Sequence, residues 1–295
     1  MQRLLITGAS GFIGQHVLSL LHDSPMEIHG ITRQVPKSDS RCYWHQCDLL
    51  EGDPINLIRT IEPTHFLHLA WDVTPNACWA SKMNHVWYQA SMKLIDAFKQ
   101  HGGQRVVVCG TCAEYHWAEV RCVEEETPLL GDSDYALYKI KLCEYLKKQP
   151  LSWGWARPFW VYGPGEPPEK IISSTVRNLS NNLPAVCQNP QLHRDLIYVT
   201  DVANGLIKLL FHHDNGIVNL GSGKPVSLLN VMQQVGKYLK YPDLIQAGEH
   251  AEPVENQIVV ADTHKMENWL GCICEVPLQD GIIRTIEYAL SGRMT

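Results

Sequence analysis

Eight residues near the start of the chain, Thr7-Gly8-Ala9-Ser10-Gly11-Phe12-Ile13-Gly14, constrain its fold more than any other feature. They follow the apolar run Arg3–Thr7 and lead into Phe12–His22, where Ile13, Val17, Leu20 and Leu21 recur at helical spacing. The pattern predicts a strand, a tight turn and a helix. Gly8 permits the turn, Gly11 lets the backbone approach a pyrophosphate, and Gly14 lets the helix pack close to the strand. The helix then presents unpaired N–H groups and its positive end to the phosphates. Gly8, Ser10, Gly11, Phe12, Ile13 and Gly14 are therefore expected to bind a dinucleotide.

The same rhythm continues. Glu27–Thr32, His65–Ala70, Arg105–Gly110 and Trp153–Arg157 read as strands. Ile55–Ile61, Tyr88–His101 and Ser133–Lys148 read as helices, with Pro63 and Gly102-Gly103 as stops. The run Val106-Val107-Val108-Cys109 suits a parallel strand covered on both faces. Alternation of this kind implies an α/β fold, a Rossmann-like doubly wound parallel sheet. It weakens after Gly163, where Tyr162–Pro168 reads as a loop. The expected division is a dinucleotide-binding domain over 1–163 and a smaller α/β substrate-binding domain over 164–295. Within the latter, Ile171–Asn182, Asp201–His212 and Leu228–Leu239 read as helices, and Asp195–Val199 and Gly216–Leu220 as strands. Asn181–Asn189 reads as a polar, turn-rich loop. Part of 195–222 is expected to return to the first sheet, making the second domain partly discontinuous.

In such folds an acid about 20 residues past the glycine loop binds the ribose 2′-OH of NAD. Here Arg33 stands 19 residues after Gly14. An arginine there can meet the 2′-phosphate of NADP, so NADP is the expected cofactor and NAD the alternative. Tyr135 and Lys139 are spaced i, i+4 and share a helix face. A cation beside a phenol lowers its pKa, which makes the phenol usable as an acid or base. Thr111 follows the strand Val106–Cys109, at the strand end where ligands of such sheets bind.

Composition narrows the alternatives. A net charge of −6 gives no basic excess for nucleic acid. No run of 18 apolar residues exists to span a membrane, and the start of the chain carries no secretion signal. The ten cysteines are thus expected to be reduced in a cytoplasmic protein. Cys109-Gly110-Thr111-Cys112 has CxxC spacing but closes a strand rather than opening a helix, and no cysteine or histidine grouping predicts a metal. Gly221–Pro225 lacks the first glycine and the Ser/Thr of a P-loop. Glu124-Glu125-Glu126 reads as a solvated loop.

Taken in order, Thr7–Gly14, Cys47-Asp48-Leu49, His68-Leu69-Ala70, Gly110–Tyr115, Tyr135–Lys139, Arg157-Pro158-Phe159 with Val161–Gly165, Arg194–Val202 and Asn219–Gly223 resemble the extended short-chain dehydrogenases/reductases. The similarity is to their nucleotide-sugar epimerases, dehydratases and reductases. It implies that Asp48 touches the adenine, and that Leu49, Leu69, Ala70, Trp71 and Pro158 line the cofactor. Thr111 would hydrogen-bond the reacting sugar oxygen and Tyr135 would be the acid/base. Lys139 would hold the nicotinamide ribose and tune Tyr135. Arg194 would bind the substrate's diphosphate, with Cys112, Ala113 and Trp160 also facing substrate. Many relatives pair as homodimers through the helices of Tyr88–His101 and Ser133–Lys148.

Departures from the family pattern narrow the reaction. The 4,6-dehydratases carry an Asp-Glu pair directly after the threonine, where this chain has Cys112 and Ala113. Neither can serve as acid or carboxylate in eliminating water. Glu114 stands one position later, where a local shift could bring it near. Trp160 and Trp87 occupy places where many members have Asn. Trp71, Trp79, Trp87 and Tyr88 either shape the sugar pocket or pack in the core. The expected activity is NADPH-dependent reduction of a nucleotide-linked 4-keto-6-deoxyhexose at C4, with the proton from Tyr135. The alternative is an NAD-dependent nucleotide-sugar 4-epimerase. A non-catalytic dinucleotide-sensing module would have no need of Tyr135 or Lys139.

Overall fold

The computed structural model describes residues 2–37, 39–75, 77–118, 120–248 and 257–292. The chain divides into two compact units. The first comprises 1–116, 128–157 and 203–218, and the second 117–127, 158–202 and 219–295.

The first unit is built on strands β1 (Arg3–Thr7), β2 (Glu27–Thr32), β3 (Tyr43–Gln46), β4 (His65–His68) and β5 (Arg105–Cys109). Its helices are α1 (Phe12–Leu20), α2 (Pro54–Ile61), α3 (Met83–Gln100) and α4 (Asp134–Lys147). With the strands Ser152–Pro158 and Gly216–Leu220 they form a seven-stranded sheet in the order 216–220, 152–158, β5, β4, β1, β2, β3. The pairings from β3 through to Ser152–Pro158 are all parallel. The strand order reverses at β1, which has β2 on one side and β4 on the other. Thr7 pairs with His68 there, so the ends of β1 and β4 open together at the switch point where such sheets bind ligands. Leu4, Leu5, Ile6, Phe66, Leu67 and Val106–Val108 are fully buried, as expected for strands covered on both faces.

Local sequence explains most boundaries. Asp53 caps α2 by accepting the Asn56 N–H, Pro54 takes the first helical position, and Glu62 leaves in a left-handed conformation before Pro63. Ser133 caps α4 through the Ala136 N–H. Two readings need correction. Helix α3 starts at Met83, not Tyr88, because the Asn84 side chain donates to the carbonyls of Cys78 and Ser81 and anchors an extra turn. The sequence also gives no sign of strand β3, because an edge strand of Tyr, Trp, His and Gln shows no apolar alternation.

In the second unit, His193–Tyr198 pairs with Pro225–Ser227, Trp160–Tyr162 and Ile258–Ala261, and the last pairs with Arg121–Cys122. A core of Ile172, Val176, Leu179, Leu196, Val231, Val235, Ile282 and Ile286 fills the unit. The segment 117–127 joins this unit through the parallel pairing of Cys122 with Ala261, which a boundary at Gly163 does not anticipate. Two further expectations are corrected. The turn-rich reading of Asn181–Asn189 conceals the strand Ala185–Cys187, which pairs with Ile245–Ala247. Glu124 is buried and accepts the Asn219 N–H, while Glu125 pairs with Lys265. Among the described residues no helix is long and apolar enough to cross a membrane, and no group of His, Cys, Asp or Glu could hold a metal ion.

Candidate active site

The glycine loop closes as its spacing predicts. Gly8 has φ +71°, and a Cβ there would lie 2.9 Å from the Ala70 amide nitrogen. A Cβ on Gly14 would lie 2.2 Å from the Gly8 carbonyl oxygen. Gly11 donates to that carbonyl and sets the start of α1, which has no side-chain cap. The start of α1 thus turns its positive end to the loop without a side-chain cap, which fits a dinucleotide pyrophosphate. Ser10 does not turn its hydroxyl to the loop alone, since it hydrogen-bonds Thr32 at the end of β2 (2.9 Å).

Beyond β2 lies a surface hollow of about 570 Å³ lined by Arg33, Gln46, Cys47, Asp48, Asp53 and Asn56. Asp48 accepts the Leu50 and Glu51 N–H groups, and Asp53 caps α2, so both carboxylates are occupied by backbone. The exposed Arg33 guanidinium has no hydrogen-bond or ion-pair partner among the described residues. Leu49 is half-buried beside this hollow.

Thr111, Tyr135 and Lys139 converge. Thr111 caps the turn Cys112–Glu114, accepting the Ala113 N–H while Glu114 Oε1 accepts the Thr111 N–H (2.9 Å). The Thr111 hydroxyl stands on the Tyr135 phenol side of the site and favours its ionised form, though less than burial opposes it. Lys139 Nζ donates to the Cys109 carbonyl (2.7 Å) and lies 6.0 Å from the Tyr135 ring centre. The electrostatics run against the expected tuning. Burial pushes the Tyr135 phenol well above its usual value and draws Lys139 down to about 8. The desolvated site outweighs the neighbouring cation.

Glu114 does not shift toward the site. It is fully buried, accepts from Arg157 Nε (2.7 Å) and Trp155 Nε1 (3.0 Å), and is held beneath Thr111. Burial works against the charge on Arg157, yet Glu114 and Tyr115 raise its pKa above the ordinary arginine value. Cys112 and Ala113 are buried within the turn, so no carboxyl group stands at either place.

A polar chain supports the floor. Ser91 Oγ donates to the Trp87 carbonyl (2.7 Å), so His68 Nε2 donates to Ser91 (2.8 Å) and His68 Nδ1 accepts from Thr7 (2.6 Å). Burial lowers His68 to about 3 and keeps it neutral. Thr7 in turn accepts from the Ala70 N–H (3.4 Å), linking the ends of β1 and β4. Leu69 and Ala70 are half-buried there. Trp71 is buried with its indole beneath Lys139, and Trp79 meets Tyr135 edge-on at 5.8 Å. Tyr138 packs against His85 and Tyr88.

The remaining expected residues lie in the second unit. Pro158 is buried, and Trp160 is half-buried on the strand beside Arg194. The Arg194 guanidinium lies 5.1 Å from the Trp160 ring and 5.7 Å from Trp117, and donates to the His193 and Gln257 carbonyls. Sequence reading missed Trp117, Asn84 and the Glu114–Arg157 pair. None carries a local pattern, since their partners are brought together only by folding.

The NAD dependent epimerase/dehydratase family matches residues 4–221. An uncharacterised UDP-glucose epimerase of Bacillus subtilis (YtcB) is 26% identical, covering 98% of each chain. A UDP-glucuronate 4-epimerase of Thermodesulfobacterium geofontis is 23% identical over 97% of this chain and 95% of that one. Among solved structures, UDP-N-acetylglucosamine 4-epimerase of Methanobrevibacter ruminantium superposes with a TM-score of 0.87 at 21% identity, covering 98% of both chains. A parallel sheet that reverses at a glycine loop, a Thr-Tyr-Lys set at its carboxyl edge and a match over most of the chain agree: the chain belongs to the NAD dependent epimerase/dehydratase family, among the nucleotide-sugar enzymes of the extended short-chain dehydrogenase/reductase group.

Proposed function

We propose that this chain is a nucleotide-sugar 4-epimerase. The observation that carries the reading is the arrangement around Thr111. Its hydroxyl favours the Tyr135 phenolate, Tyr135 and Lys139 lie on the same helix, and the carboxyl groups needed for dehydration are missing or locked away. The names of the similar proteins weigh toward the same reaction.

When bound, the dinucleotide supplies the hydride acceptor and donor at C4. The N-terminal turn of α1 would hold its pyrophosphate, and Asp48 and Arg33 would face its adenosine end. As the phenolate, Tyr135 takes the proton from the C4 hydroxyl, and as the phenol it returns that proton to the C4 oxygen. Thr111 fixes that oxygen by hydrogen bonding, and the charge on Lys139 stabilises the phenolate as it forms. Arg194 takes the diphosphate of the substrate. A net change at C4 alone requires no acid beyond Tyr135, which agrees with Cys112 and Ala113 in the following turn.

The test is incubation with UDP-glucose, UDP-glucuronate and UDP-N-acetylglucosamine, with the C4 epimer read by proton NMR. Inversion of one of them is expected, and loss of inversion in Tyr135→Phe. No inversion of any, with dinucleotide bound, would sink the reading. A second reading, an NADPH-dependent 4-ketoreductase, is favoured by one observation, the unengaged Arg33 guanidinium. Consumption of NADPH with a nucleotide-linked 4-keto-6-deoxyhexose, without C4 inversion of the parent sugars, would select it.

A further inference from the structure

Lys139 is an ammonium group in an unusual setting. It is 3% exposed, and no Asp or Glu forms an ion pair with it among the described residues. Its one hydrogen bond is to the Cys109 carbonyl, although an ammonium has three donors. Its Nζ lies 4.0 Å from the centre of the Trp71 ring. That indole is fixed from two sides. Its Nε1 donates to Asn84 Oδ1 (2.8 Å), and Trp87 stacks on it at 6.3 Å and 27°. Asn84 is itself anchored, donating to the carbonyls of Cys78 (2.7 Å) and Ser81 (2.9 Å).

We propose that Trp71 is a positioning residue for the acid–base pair, its indole face fixing the Lys139 ammonium in place and holding its charge. The proposal rests on the reading of Tyr135 and Lys139 given above. An ammonium over an indole face is attracted by the ring quadrupole, most strongly where water is excluded. The other groups that face Lys139 do little of this work. His68 on β4 stays neutral, and the Cys109 thiol on β5 is pushed up to about 11 by burial, so neither carries a charge at neutral pH. Glu114 favours the cation from a distance but is committed to Arg157. Tyr135, on the same helix, carries charge only as the phenolate of the reaction, and burial favours its neutral form otherwise. Burial brings Lys139 down to about 8 even with Cys109 and Glu114 opposing it, and loss of a further stabilising contact would leave it uncharged under working conditions.

The charge on Lys139 can be read directly. The full chain labelled with [ε-13C]lysine is titrated by NMR, with the Lys139 signal assigned from Lys139→Arg. The order of midpoints expected is wild type, then Trp71→Phe, then Trp71→Leu, the last lower by about half to one and a half pH units. Leucine keeps the site apolar while removing the ring face, and phenylalanine keeps a weaker face. Equal midpoints in the three proteins would overturn the proposal. Should Trp71→Leu fail to fold, the comparison of Trp71→Phe with wild type decides, and an equal or higher midpoint overturns it. In the NAD-loaded enzyme the alkaline limb of kcat is expected to move in the same order. A Lys139 midpoint that moves while this limb stays still leaves the ring–ammonium contact standing and removes the acid–base reading beneath it.

Discussion

A single carboxylate shows how this site trades chemistry for position. Glu114 stands one residue past where a dehydratase would place its acid pair, and in the fold it is turned inward. Its oxygens are taken by Trp155, Arg157 and the Thr111 amide. Removing one partner of a buried ion pair leaves the other as an uncompensated charge, at a cost of about 3–5 kcal/mol. Glu114→Gln is therefore expected to lower unfolding free energy by roughly that amount, measured by urea denaturation. Because Glu114 caps the turn that carries Thr111, kcat should also fall, with little change in dinucleotide affinity. A variant of wild-type stability and full activity would show that the pair positions nothing. Trp155 and Arg157 could be read as strand residues from the sequence, but not as partners of Glu114. The pairing joins residues about 40 positions apart, and no local spacing encodes it.

At the scale of elements, legibility follows how much of the stabilisation is local. β1 and β2 lie where the apolar runs predicted them, because strands covered on both faces announce themselves by composition. The strands Tyr43–Gln46 and Arg121–Cys122 did not, because pairing with a neighbour, rather than their own side chains, makes them strands. The glycine loop is the opposite extreme, since its spacing alone prescribes its geometry. It also yields a sharp prediction. In Gly14→Ala the new Cβ would press on the Gly8 carbonyl oxygen and on Ala9 Cα at 2.7 Å, all backbone atoms with nowhere to yield. Helix α1 must then lift from β1. Overpacking of this kind costs about 1–3 kcal/mol, and here it also displaces the N–H groups that would hold the pyrophosphate. Thermal unfolding should show the loss of stability, and fluorescence titration should show NAD binding at least roughly tenfold weaker, about 1.4 kcal/mol. Unchanged NAD affinity would mean that the loop does not hold the cofactor.

The proposed ligand chemistry divides between the two compact units of the chain. The first holds the glycine loop, the hollow lined by Arg33 and Asp48, and the Thr-Tyr-Lys set, and the second holds Arg194 with Trp117 and Trp160. This division was only partly legible, since the path of 117–127 into the second unit depends on pairing with a strand about 140 residues away. A ligand that binds only the native state suppresses local opening where it binds. Amide hydrogen exchange should therefore resolve the two roles. Added NAD is expected to slow exchange at 8–14, 31–34, 47–50 and 69–71, all in the first unit. Added UDP is expected to slow exchange around Trp160 and Arg194, where the proposed reading has a guanidinium take the diphosphate. The decisive control is Arg194→Ala, which should abolish the UDP protection and leave that of NAD intact. UDP protection confined to the first unit, or unaltered in Arg194→Ala, would take the diphosphate away from Arg194 and with it the substrate role assigned to the second unit.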